Sequence, residues 1–458
     1  MISRSIACLS LFISLAVIPA CTTDEASGAD TASAKAASQF TGTASAAKVG
    51  EANLAVADEA AASAVASAAA RAGAAGAPAV PPQIRGLYLT AYTAGSATRL
   101  PELLDLARST EINTFVIDVK TEEGVHYPSE LPLARELRRP GHVPIGNLSE
   151  LVESLHDAGL YTVARIVVFK DPILVAARPD WSIKRPNGGI WIDREGNRWV
   201  SPWDDRVWDY NLALAEEAAK AGFREVQFDY IRFPEAYPSL PAQVHPRTNG
   251  DRTDAIVAFL SEARRRLDPL GVVVSADVFG MSMNDAGDVG IGHQWERLSS
   301  IIDHILPMAY PSHYTPTHLP NVSRPNRMPY ETLTTALGMA VIRNDRLLQA
   351  GLPAARIIPW LQAFDAPWVD RNYPYGVEQI RAQIRAVHDV GLEDWIFWDP
   401  GVRYERIAGA FAAETLPQAR SYERPSSLVG RMDRYEGWGM RNERTRASER
   451  FQTRPAAP

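Results

Sequence analysis

The chain has 458 residues, 46% of them hydrophobic and 22% charged, a balance that suits a globular protein with a sizeable core. Its formal net charge of −7 leaves no basic surplus, so the totals carry no electrostatic footprint for nucleic acid. Both cysteines, Cys8 and Cys21, lie near the start, which excludes a thiol nucleophile or a thiolate metal site from the rest of the chain.

Residues 1–21 read as an export signal: Arg4 supplies a positive charge, Ile6 to Ile18 is an almost unbroken apolar run, and small residues follow. The run ends Pro19-Ala20-Cys21, which is similar to a bacterial lipoprotein signal with Cys21 as the lipidated residue; a plain secretory signal is the alternative. The expected location is the bacterial cell envelope or the secreted fraction. Residues 22–82 are dominated by Ala, Ser, Gly and Thr and lack the aromatic and branched residues whose burial offsets chain entropy, so they read as a disordered linker.

From residue 83 to 415 short β-rich apolar runs alternate with longer segments of helical period, the pattern of a parallel sheet with crossover helices. Strands are expected at Arg85–Ala91, Thr114–Val119, Tyr161–Phe169, Glu225–Ile231, Val272–Val278, His304–Ala309, Arg356–Ala363 and Asp394–Trp398. Helices are expected at Leu100–Ser109, Leu148–Ala158, Val207–Ala221, Asp254–Leu267, Tyr330–Ala350 and Val377–Val390. Gly159, Gly222 and Gly391 close three of them, as a left-handed C-terminal cap requires. Eight such units predict an α/β fold, the closed (β/α)8 TIM barrel. A dinucleotide fold is disfavoured, because Leu89-Thr90-Ala91-Tyr92 follows the first strand where a glycine-rich phosphate turn is needed. Residues 416–458 form a polar, arginine-rich tail without sustained period.

In such a barrel, polar residues at strand C-termini converge on one rim. That filter selects Asp118, Asp229, Asp277 and Asp399. Asp229 ends an apolar strand in Gln227-Phe228-Asp229-Tyr230-Ile231-Arg232-Phe233-Pro234, where a lone charge needs a partner; an ion pair with Arg232 is the structural alternative to a nucleophile or base. Asp277 ends the next strand in Ser275-Ala276-Asp277-Val278-Phe279-Gly280, so the two acids can face one space; a rim hydrogen-bond acceptor is the alternative there. Cleavage of a glycosidic bond needs such a pair, one carboxyl group to protonate the leaving oxygen and one to attack or to activate water.

Asp118 and Lys120 are expected on one face by the two-residue strand period. Arg165 stands inward on strand three as a counter-charge for an aspartate, and Tyr310, Trp398 and Asp399 sit on the rim by position. With Arg232, these residues are the expected substrate-binding set. Five tryptophans, at 181, 191, 199, 203 and 208, fall in a hairpin-like insertion after strand three and read mostly as a loop-anchoring cluster. The histidines show no metal-ligand spacing, with His313 and His318 read as exposed loop residues, and no Gly-x-Ser-x-Gly elbow occurs. Neither metal nor organic cofactor is expected.

Arg85-Gly86-Leu87-Tyr88, the run from Phe115 to Lys120, Trp199-Val200-Ser201-Pro202 and above all the segments around Asp229 and Asp277 resemble the family described as "Putative glycosyl hydrolase domain", over residues 84–405. The resemblance implies a TIM barrel acting on polysaccharide. The leading expectation is therefore a glycoside hydrolase with Asp229 as nucleophile or base and Asp277 as acid. Its membrane contact is confined to a lipid anchor, and its partner is a polysaccharide or oligosaccharide. A noncatalytic barrel that binds envelope glycan is the alternative, and an ester or amide hydrolase a more distant one.

Overall fold

The computed structural model describes residues 79–412 except Pro140. The signal segment with Cys21, the linker up to residue 78 and the tail 416–458 lie outside the described residues. Eight strands close into a parallel barrel: β1 (Arg85–Leu89), β2 (Thr114–Thr121), β3 (Tyr161–Val167), β4 (Glu225–Asp229), β5 (Val273–Phe279), β6 (His304–Met308), β7 (Arg356–Ile357 resuming as Trp360–Gln362) and β8 (Trp395–Trp398). Each pairs with the next, and β8 returns to β1, so the sheet has no free edge. Each expected strand is present with ends within two residues of the expectation; β2 runs two residues further, and the others are shortened or shifted by one or two. Strand seven is interrupted at Ile358-Pro359, where proline has no N–H to give the ladder.

The crossover helices Arg99–Arg108, Leu148–Asp157, Asp205–Lys220, Arg252–Leu267, Pro329–Gln349 and Val377–Asp389 start within two residues of the expected positions. Gly222 has φ 109°, a conformation open to glycine, and an added Cβ would lie 3.1 Å from Val152 Cγ1 on the neighbouring helix. The helix Arg252–Leu267 is opened by a capping box, in which Asp251 and Asp254 each accept the other's backbone N–H.

Phe259 on that helix meets Phe228 at 5.2 Å and Phe169 at 5.4 Å outside the barrel. With Phe228 packed outward, the strand period turns Gln227 and Asp229 into the barrel. At the other end of the strand, Glu225 accepts from Tyr161 (3.1 Å) and pairs with His304 Nδ1 (2.9 Å), a tie at the N-terminal face where barrels carry stability rather than chemistry. Among the described residues no helix is long and apolar enough to cross a membrane.

Candidate active site

The register sets the site. Phe228 pairs with Ala276 across β4 and β5, so Asp229 and Asp277, one residue further on, stand at the same level. On β3 Arg165 pairs in register with Asp118 of β2 and Gln227 of β4, one layer below Asp229. Its guanidinium donates to Asp118 Oδ1 at 2.5 Å and to Asp229 Oδ2, through Nε at 3.1 Å and also through Nη2, while Nε lies 3.8 Å from Asp277 Oδ2. One partly buried cation therefore serves three buried acids, Asp118, Asp229 and Asp277, which are 3%, 5% and 1% exposed. Burial alone would lower the Arg165 pKa, but Asp118 and Asp229 outweigh it and hold the guanidinium charged.

The acids are not equivalent. Asp118 Oδ2 accepts from the Tyr88 hydroxyl at 2.5 Å, and burial raises its pKa against the pull of Arg165. Asp277 Oδ1 accepts from Trp360 Nε1 at 2.6 Å. Burial, and after it the negative charge of Asp229, push the Asp277 carboxyl well above the ordinary carboxylate range. Asp229 is the one bonded twice by Arg165, and its Oδ1 also accepts from the Tyr230 N–H at 2.5 Å. Tyr230 has φ 51°, a left-handed backbone for a bulky residue, which costs about 1–3 kcal/mol and marks a constrained turn beside the acid.

Aromatic rings wall the other side. Tyr310 follows β6 and lies 5.5 Å from Trp398 and 5.7 Å from Phe364, with Phe364 and Trp398 edge to face at 5.1 Å. Burial first, then Asp277 and Asp229, raise the Tyr310 phenol far above its usual value, so it stays protonated beside the acids.

Three of the expected site residues are bonded outside this cluster. Lys120 does not share a face with Asp118: a β-bulge at Val119 shifts the register, so Lys120 pairs with Ile166 and points away from the barrel interior. Its ammonium meets Asp171 at 3.0 Å and the Val167 carbonyl at 2.5 Å, a structural tie. Arg232 does not pair with Asp229; it bonds Glu235 at 3.0 Å and the Phe233 carbonyl, and lies 5.0 Å over the Trp199 ring. Asp399 is buried, with its oxygens accepting from the Gly401 and Arg403 N–H groups and from the Arg403 side chain, which makes it a staple of the turn after β8. The loop histidines also differ from expectation, since His313 packs 5.2 Å from Tyr310 and burial pushes it down to about 4.

Of the five tryptophans, Trp191 and Trp199 are fully buried and the other three pack partly against the core, as a loop-anchoring cluster would. Sequence reasoning missed Trp360, whose bond to Asp277 depends on a strand far away in the chain, and His293. The latter Nδ1 accepts from Phe279 N–H at 3.1 Å and Nε2–H donates to the Ile231 carbonyl at 3.1 Å, so a neutral ring ties the ends of the two acid-bearing strands. Arg232, Asp229 and Glu235 are the charged groups that bear on it, and burial above all pushes its pKa down to about 4. A depressed histidine stabilises the fold above its unfolded value, near 6.5, and that stability is lost as pH falls towards about 4. We therefore expect His293→Gln to flatten the acid side of a plot of melting temperature against pH over that window and to lower kcat more than it raises KM. An unchanged acid slope would remove the tie from the account.

The family model described as "Putative glycosyl hydrolase domain" matches residues 86–404. The chain belongs to that family. Membership gives this glycosyl hydrolase domain its coarse activity, that of an enzyme of the glycoside hydrolase class. Among solved structures, the domain is similar to the PgaB (BpsB) glycoside hydrolase domain from Bordetella bronchiseptica, at 16% identity, covering 72% of this chain and 99% of that one, with a TM-score of 0.51. That likeness concerns the fold. A hypothetical protein from Ruminiclostridium thermocellum is 38% identical over 42% of this chain and 97% of its own, with a TM-score of 0.38. No curated protein matches the chain.

Proposed function

We propose that the domain hydrolyses glycosidic bonds in a polysaccharide or cell-envelope glycan, with Asp277 as general acid and Asp229 as nucleophile or general base. The observation that carries this reading is the unequal pair: Asp277 is buried, with its carboxyl pushed well above the ordinary range, beside Asp229, which is ion-paired to Arg165. Two carboxyl groups whose surroundings drive them apart are what acid and base roles need. Trp360 occupies Asp277 Oδ1, leaving Oδ2 to carry the proton.

In the reaction, Asp277 gives its proton to the glycosidic oxygen as the bond to the anomeric carbon breaks. The positive charge that develops on the sugar is met by Asp229. This carboxylate either attacks the anomeric carbon, giving a glycosyl ester that water, deprotonated by Asp277, then cleaves, or takes a proton from the water that attacks the carbon directly. Arg165 fixes Asp229 and Asp118 in place, and the Tyr310 phenol offers a hydrogen bond beside the acids. Trp398, on the rim, gives a sugar ring an apolar face.

Release of reducing ends from a panel of bacterial glycans tests this, with wild type, Asp229→Asn and Asp277→Asn compared and binding measured in parallel. Turnover by wild type with loss in both variants is the expected result. Binding by all three without turnover in any favours the noncatalytic glycan-binding barrel.

Export and anchoring through Cys21 belong to the same proposal, since an envelope glycan is met outside the cytoplasm. Labelling of cells with a palmitate analogue is expected to mark the wild-type protein and not Cys21→Ala; equal labelling of both would remove the anchor.

A further inference from the structure

We infer that Trp368 is the outer platform of a glycan-binding cleft that carries a pyranose chain away from the carboxylates over the β7 and β8 side of the barrel. This inference rests on the hydrolase reading above and extends it to the length of the substrate. The rim has two unlike halves. Over β2 to β4 it is charged and self-paired: Glu122 meets Lys170 at 3.5 Å, Arg232 meets Glu235 at 3.0 Å, and Lys170 lies 4.7 Å over Tyr230. Over β6 to β8 it is aromatic.

The aromatic half is continuous from the acid to the surface. Trp360, which bonds Asp277, meets Tyr88 edge to face at 6.4 Å, and Tyr88 meets Trp398 at 6.3 Å. Phe364, buried, then backs two open rings at once, Trp398 at 79° and Trp368 at 15° between planes, the latter at 6.1 Å. Trp368 thus has one face supported by Phe364 while the residue remains 43% exposed.

The turn that carries this indole is ordered. Val369 and Asp370 N–H groups both bond the Ala366 carbonyl, and Asp370 is fixed by Arg327 at 2.5 Å. A large apolar ring held out of the core on a pinned turn, and joined through Phe364 to the half-buried Trp398 on the rim, matches the flat apolar faces of successive sugars. The occupant is therefore a pyranose chain whose scissile bond lies at Asp229 and Asp277, rather than an isolated disaccharide.

The test uses Asp229→Asn, which is expected to bind without turnover, and the same protein carrying Trp368→Ala or Trp368→Phe. Calorimetric titration with cello-, chito- and malto-oligosaccharides, from disaccharide to hexasaccharide, reads the affinity. In the best-bound series affinity is expected to rise with chain length. Trp368→Ala is expected to remove about tenfold of it at the hexasaccharide, with a penalty that grows along the series, and Trp368→Phe to restore most of the loss. Hexasaccharide affinity equal in the Trp368 and Trp368→Ala proteins, or no binding of any of the three series, overturns the platform. Length-dependent binding that needs Trp368, in a protein whose wild type turns over none of the bound probes, leaves the platform standing and sinks the hydrolase reading instead.

Discussion

Asp277→Asn is expected to lower kcat by about a hundredfold to ten-thousandfold on glycans with ordinary sugar leaving groups, the range general acid catalysis supplies. The same variant should lose far less on aryl glycosides whose phenolate departs without a proton. Its melting temperature at neutral pH is expected to rise. The sign follows from the direction of the shift: a carboxyl whose folded pKa is raised contributes stability below its unfolded value, and that stability is lost as pH climbs towards the folded value. At neutral pH the wild type therefore carries a penalty that a neutral amide does not, and asparagine can still accept the Trp360 N–H bond through its side-chain oxygen. Activity and stability are expected to move in opposite directions, which simple misfolding would not produce. Equal losses on activated and unactivated substrates would take the acid role from Asp277.

Arg165→Met is expected to be the most destabilising single change at the site. It leaves Asp118 and Asp229 buried without their common cation, and breaking a buried pair from one side costs about 3–5 kcal/mol. Arg165→Lys should recover only part, since an ammonium cannot reproduce the fork that holds Asp118 through Nη1 and Asp229 through Nε and Nη2. Adding Asp118→Asn to Arg165→Met should restore some stability by removing one unpaired charge, while activity stays low because Asp229 remains unheld. Denaturant unfolding of the three variants and the wild type checks the order. A loss below about 1 kcal/mol for Arg165→Met, the level of an exposed pair, would show that the cluster is far better hydrated than its burial implies.

The barrel was legible because parallel strands buried on both faces read as short apolar runs, and because helices closed by Gly159, Gly222 and Gly391 punctuate them. Asp118, Asp229, Asp277 and Arg165 stood out for one reason, a charge within or at the end of an apolar strand, and they are the four that meet. What failed was local geometry. The two-residue rule placed Lys120 beside Asp118, but one extra residue at Val119 turned it outward. Proximity in sequence suggested Arg232 for Asp229, yet the tight turn at Tyr230 sends Arg232 to Glu235 and leaves the neighbouring strand to supply the cation. Trp360 and His293 carry no sequence signal at all, since their roles arise from bonds to distant strand ends.

The acid role of Asp277 depends on burial and the Asp229 charge keeping its carboxyl protonated. Carbon NMR titration of the aspartate carboxyl groups, with Asp277 assigned by substitution, measures this directly. In the wild type Asp277 is expected to titrate well above the ordinary aspartate range, and in Asp229→Asn its midpoint is expected to move down as the neighbouring charge is removed. An Asp277 that titrates in the ordinary range in the wild type, and does not move in Asp229→Asn, would contradict that role.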